Sequence, residues 1–161
     1  MPGSGKTTVG RALAQLLSWG FSDTDDLLAE AVGCDFAEFI RRNGIAAARA
    51  EEKRVVATLP ARLHRQVLSL GGGTLMDPEN RARISALGTV VWLRAEPATL
   101  RARLAAAERD RPLLDGDLDA ALANLLTERT AIYAESADAV VDVDGLDENE
   151  IAVAIVKALS A

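Results

Sequence analysis

The chain has 161 residues, 49% of them apolar and 26% charged, with a formal net charge of −6. That is the size and composition of one soluble globular domain with enough chain to bury a core, and it excludes a wholly disordered, collagen-like or coiled-coil protein. No run reaches the ~20 apolar residues of a membrane span, no secretory leader is recognisable, and the acidic balance argues against a nucleic-acid partner.

Residues 1–8 read Met-Pro-Gly-Ser-Gly-Lys-Thr-Thr, and residues 9–17 predict an apolar helix. Gly5, Lys6 and Thr7 fill the last three places of the phosphate-binding pattern G-x-x-x-x-G-K-[ST]. Glycines at 3 and 5 let the backbone N–H groups converge on one anion, and the helix that follows adds its positive end. Lys6 is suited to the outer phosphates and the Thr7 hydroxyl to Mg²⁺. The chain carries only three lysines against fifteen arginines, which singles out the one in this loop. The first glycine of the pattern and the strand that feeds such a loop would both precede Met1, so Met1 is expected to be an internal methionine of a longer natural chain. The plain alternative is a flexible Gly/Ser-rich terminus.

Residues 19–22 predict a strand that ends in Asp23-Thr24-Asp25. Acids at the carboxyl end of a parallel strand suit a metal shell and a base for a substrate hydroxyl; helix capping suits an aspartate equally well. Residues 27–32 and 36–40 predict short helices broken at Gly33, and residues 45–65 a long helix interrupted at Pro60. The lone Cys34 has no thiol or histidine nearby and is assigned no chemistry; one cysteine also favours a reducing cytoplasm. Arg49 and Glu52 share a helix face, and from spacing alone they read as a solvated ion pair. His64 reads as a surface residue. Residues 67–70 predict a strand running into Gly71-Gly72-Gly73, where bare backbone approaches a substrate or a neighbouring helix.

Further helices are predicted from Pro78 to about residue 87, from Pro97 to about 108, over 118–134 and over 146–159, with strands over 89–93 and 139–143. Residues 109–119, containing Arg111, Pro112 and Gly116, predict a charged loop able to close over phosphates. Arg129, four residues before Tyr133, reads by itself as a surface arginine. Short apolar strands alternating with helices imply a parallel sheet covered on both faces, and no linker or repeat divides the chain.

Taken together, GSGKTT at 3–8, DTD at 23–25, Arg49 with Glu52, LSLGGG at 68–73, RPLL at 111–114, and Arg129 with Tyr133 resemble the shikimate kinase family over nearly the whole chain. The resemblance implies a three-layer α/β/α P-loop kinase fold. It would be one domain over 1–161, with a substrate-binding segment at 26–56 and a lid loop at 109–118. The family's parallel sheet has five strands, the first absent from this chain. The implied reaction moves the γ-phosphate of ATP, with Mg²⁺, to the 3-hydroxyl of shikimate in aromatic amino-acid biosynthesis. A cytoplasmic monomer acting on small molecules is expected.

By the same resemblance Gly3, Ser4, Gly5, Lys6, Thr7 and Thr8 cradle the phosphates, and Thr7 and Asp23 hold the metal. Asp25 binds the substrate hydroxyls and serves as base. Arg49 and Arg129 clamp the shikimate carboxylate beside Gly71, Gly72 and Gly73. Arg111 is the lid arginine and joins Lys6 and Asp25 as a catalytic residue, while Arg103 stacks on adenine. The chain departs from the family at Ile45, where a glutamate is usual, at Ala48, where a bulky aromatic is usual, and at Ala131, where proline is usual. It also lacks a basic residue near Asp144 and Gly145. Loss of the aromatic wall implies a looser acid pocket. A kinase for another small hydroxy acid and a nucleotide-binding fragment without turnover are the alternative readings.

Overall fold

The computed structural model describes residues 1–59, 64–106 and 117–160. Helix α1 (Lys6–Leu17) buries Val9, Leu13 and Ala14 on one face and ends at Ser18, whose left-handed backbone turns its N–H back to Ala14 and Gln15. It starts three residues before the predicted helix because Lys6, Thr7 and Thr8 already form its first turn. Strand β1 (Gly20–Asp23) leaves Trp19 outside the ladder and 44% exposed.

Helix α2 (Thr24–Val32) begins directly at the acids, because the Asp23 carboxylate accepts from the Asp25 N–H at 3.0 Å. Capping is thus one of Asp23's jobs. Helix α3 (Phe36–Thr58) merges two predicted helices across a kink at Gly44, whose φ of 81° and ψ of 167° suit glycine alone. Residues 60–63, with Pro60, lie outside the described residues. Strand β2 (Gln66–Ser69) leads through the glycines to a short 3₁₀ turn (Thr74–Met76).

Helix α4 (Pro78–Leu87) matches its predicted span, with Pro78 at its start and Asp77 capping Glu79 and Asn80. Then come β3 (Val91–Arg94), α5 (Pro97–Ala105), α6 (Leu118–Ser136), β4 (Ala139–Asp142) and α7 (Glu148–Leu159). Asp147 and Glu150 close a reciprocal capping box at the start of α7.

The described strands form two parallel pairs, not one continuous sheet. In the first, Gly20 lies opposite Gln66 and Asp23 opposite Ser69; in the second, Val91 lies opposite Ala139 and Arg94 opposite Asp142. Between β2 and β3 runs a cavity of about 700 Å³, lined by Val67, Leu68 and Leu70 on one side and Val91, Trp92 and Leu93 on the other. Among the described residues, the β2 and β3 edges that face it have no ladder partner. Two apolar clusters pack around this frame. One gathers Leu59, Leu100, Leu122, Leu125 and Tyr133 with Met1; the other gathers α1 and α7 through Val9, Leu13, Ile151 and Ile155.

Met1 is itself buried, at 4% exposure, in the first of these clusters.

Candidate active site

Gly3 and Gly5 adopt left-handed backbone, with φ of 79° and 84°. They curl residues 1–5 over the start of α1. Ser4, fully buried, donates its hydroxyl to the Met1 carbonyl at 3.0 Å, and the Lys6 ammonium donates to the same oxygen at 2.8 Å. Lys6 therefore lies back across the loop. Thr8 is exposed on the first turn. Arg103 reaches the loop from α5. Its guanidinium donates to the Val143 carbonyl at 3.4 Å and lies 3.8 Å from where a Cβ on Gly5 would stand.

Helix α1 presses close against β1: a Cβ on Gly10 would meet the Phe21 ring at 2.7 Å. This approach brings the Thr7 hydroxyl to the Asp23 carboxylate, 2.8 Å away. A hydroxyl and a buried carboxylate side by side at the head of the glycine loop are hard oxygen donors. Mg²⁺ takes one or two such groups and completes its shell with water and phosphate, so the pair fits that ion. Among the described residues no cluster of three or more His, Cys, Asp or Glu forms a closed metal cage.

The triple glycine is where the remaining candidates converge. A Cβ on Gly71 would stand 2.6 Å from an Asp25 carboxylate oxygen, one on Gly72 would stand 2.8 Å from the Arg129 guanidinium, and one on Gly73 would stand 2.5 Å from the guanidinium carbon of Arg49. Each glycine makes room for one candidate side chain, and the three arrive from α2, α6 and α3. The loop itself is pinned. The Gly71 N–H donates to the Thr24 hydroxyl at 2.6 Å, and the Gly72 carbonyl accepts from Arg129 at 2.8 Å and from Tyr133 at 2.6 Å.

Two expectations are corrected here. Arg49 and Glu52 are not a solvated pair. Glu52 is 3% exposed, accepts from Arg49 at 2.6 Å and takes the Thr74 hydroxyl at 2.8 Å on its other oxygen. Arg129 is not a surface arginine; it is 3% exposed, and its Nε is buried without a hydrogen-bond partner. Burial pushes the Tyr133 phenol above its ordinary range, so it stays a hydrogen-bond donor through neutral pH. Thr24 and Thr74 were not singled out from sequence. A threonine between two acids, and one closing a glycine run, are the signals that mark them.

Ala48 is buried at 1% exposure, whereas Ile45 is 44% exposed. His64 is exposed, as expected, and Cys34 is a free thiol. Arg111 lies outside the described residues, as does most of the expected lid at 109–118. No helix among the described residues is long and apolar enough to cross a membrane.

A family model described as Shikimate kinase matches residues 2–160. The chain belongs to the shikimate kinase family. The shikimate kinase of Moorella thermoacetica is 39% identical over 159 residues, covering 99% of this chain and 90% of the relative. That of Parasynechococcus marenigrum is 43% identical over 137 residues, 84% of this chain and 71% of the relative. Among solved structures, the shikimate kinase from Acinetobacter baumannii in complex with shikimate superposes with a TM-score of 0.92 at 30% identity, covering 99% of this chain and 89% of the other. The fold is thus that of the shikimate kinases, and the N-terminal glycine loop, Asp23 with Asp25, and the glycine run lie together in it.

Proposed function

We propose that the chain transfers the γ-phosphoryl group of ATP to the 3-hydroxyl of shikimate, giving shikimate 3-phosphate and ADP. The observation that carries this reading is the convergence of Asp25, Arg129 and Arg49 on three consecutive glycines, one side chain to each. An acid and two guanidinium groups around bare backbone suit a small hydroxylated carboxylate. The arginines offer paired N–H groups to the carboxylate, and the acid faces the hydroxyls.

In the reaction, the 3-hydroxyl oxygen bonds to the γ-phosphorus as the bond to the β–γ bridging oxygen breaks. The hydroxyl proton passes to the Asp25 carboxylate, and ADP leaves. Backbone N–H groups of residues 3–8 and the Lys6 ammonium hold the phosphates in line. Thr7 and Asp23 would hold Mg²⁺, which neutralises charge on the phosphate oxygens when bound. Arg103 serves the adenine side, and Arg111 closes over the phosphates from the lid at 109–118. The segment 26–56 carries the acid pocket. The same reading makes the protein a cytoplasmic monomer of the chorismate pathway.

A coupled assay for ADP release across a panel of hydroxy acids tests the proposal. Release that depends on shikimate supports it. Release with a sugar acid instead makes the chain a kinase for another acid, and nucleotide binding without turnover with any acid sinks the catalytic reading. Arg111→Ala is expected to lower kcat by about 100-fold while shikimate KM moves less than about threefold, since an arginine on transferring charge acts in the transition state. Steady-state kinetics check this; an unchanged kcat removes Arg111 from the mechanism.

A further inference from the structure

We propose that Tyr133 is a positioning residue for the reaction: its hydroxyl holds the Gly72 carbonyl, and through it sets the guanidinium plane of Arg129 that meets the substrate carboxylate. The inference rests on the substrate reading above and adds a residue to it.

Arg129 and Tyr133 are four apart on α6 and therefore share one face. Both donate to the same oxygen, the Gly72 carbonyl, at 2.8 and 2.6 Å. The Arg129 guanidinium is thus tied to the Gly72 carbonyl, and it also lies within hydrogen-bonding reach of the Tyr133 hydroxyl. Arg129 is 97% withdrawn from water, yet its Nε has no partner. A buried donor left unpaired costs about 1–3 kcal/mol, and the cost is lifted when an acceptor arrives. A guanidinium with one nitrogen tied to a fixed carbonyl and another unpaired is set to receive a planar carboxylate.

Tyr133 supplies the rigidity. It is 7% exposed, and its ring meets Trp92 edge-on at 6.1 Å, which fixes the direction of the hydroxyl. Burial raises the phenol, so the donor persists across the working pH range. Without that hydroxyl, the Gly72 carbonyl keeps one donor instead of two. The glycine peptide can then rotate, and the Arg129 plane rotates with it.

Tyr133→Phe retains the ring and its contact with Trp92, so the fold should survive with Tm within about 3 °C. Shikimate KM is expected to rise about tenfold, with KM for ATP unchanged and kcat within about threefold. The double variant Tyr133→Phe with Arg129→Ala decides whether the effect runs through the arginine. The second substitution should then add less than twofold to the KM of Arg129→Ala alone. A tenfold effect that persists in the Arg129→Ala background would overturn the route through Arg129. An unchanged shikimate KM in Tyr133→Phe, with the parent chain active on shikimate, would overturn the positioning role and leave the substrate reading intact. A parent chain that neither binds nor phosphorylates shikimate would overturn both.

Discussion

Asp25→Asn is expected to lower kcat for shikimate phosphorylation about a thousandfold, within the range of lost general-base catalysis, while shikimate KM stays within about threefold. Asp25 lies in the first turn of α2, and its carboxylate stands against Gly71, where only a residue without a Cβ leaves it room. Asparagine keeps the volume and can still bond a substrate hydroxyl. It cannot take the proton released as that hydroxyl bonds to phosphorus. Initial rates over a shikimate titration separate the two parameters. A variant with full kcat would show that the proton leaves by another route and that Asp25 only binds.

Gly73→Ala should be nearly as damaging by a different path. A Cβ there would lie 2.5 Å from the guanidinium carbon of Arg49, so the arginine must leave its seat. Arg49 cannot move freely, because Glu52 holds it from below and Thr74 holds Glu52. The expected result is a rise of about 100-fold in shikimate KM, the worth of one charge-assisted pair at about 1.5–3 kcal/mol. Arg49→Ala should raise KM to a similar degree, and the double variant should be little worse than either. Gly88→Ala is the control: nothing lies within 4 Å of its added Cβ, and its φ of 166° is ordinary extended backbone. Gly73→Ala with the KM of the parent would mean that Arg49 does not contact the acid.

The glycine turn at 3–5 and the helix spans were the most legible parts of the chain, because their signals are local. Glycines before Lys6-Thr7 can serve few other structures, and Pro78 and Pro97 open α4 and α5 where proline is tolerated. The kink at Gly44 was harder to read. Glycine tolerates both helix and turn, and only the packing of α3 against its neighbours selects one. The division of the strands into two pairs is a tertiary fact that no single strand reveals.

The side chains around the glycine run were legible mainly through resemblance. Spacing put Arg49 beside Glu52 but could not say that Glu52 is buried or that Thr74 completes it, since those contacts span 22 residues. Arg129 looked like any helical arginine, because its burial depends on Gly72, 57 positions earlier in the chain. Asp23 was undecided between cap and metal group. It caps α2 with one oxygen and meets Thr7 with the other, so capping does not exclude the metal role.

The most direct test is to incubate the chain with ATP, Mg²⁺ and shikimate and follow the products by phosphorus NMR. The expected result is one new phosphate-ester signal, assigned to the 3-position of shikimate and growing in step with ADP, and absent when shikimate is omitted. ADP that accumulates at the same rate without shikimate, or an unchanged ATP spectrum from chain shown to bind nucleotide, would contradict the account.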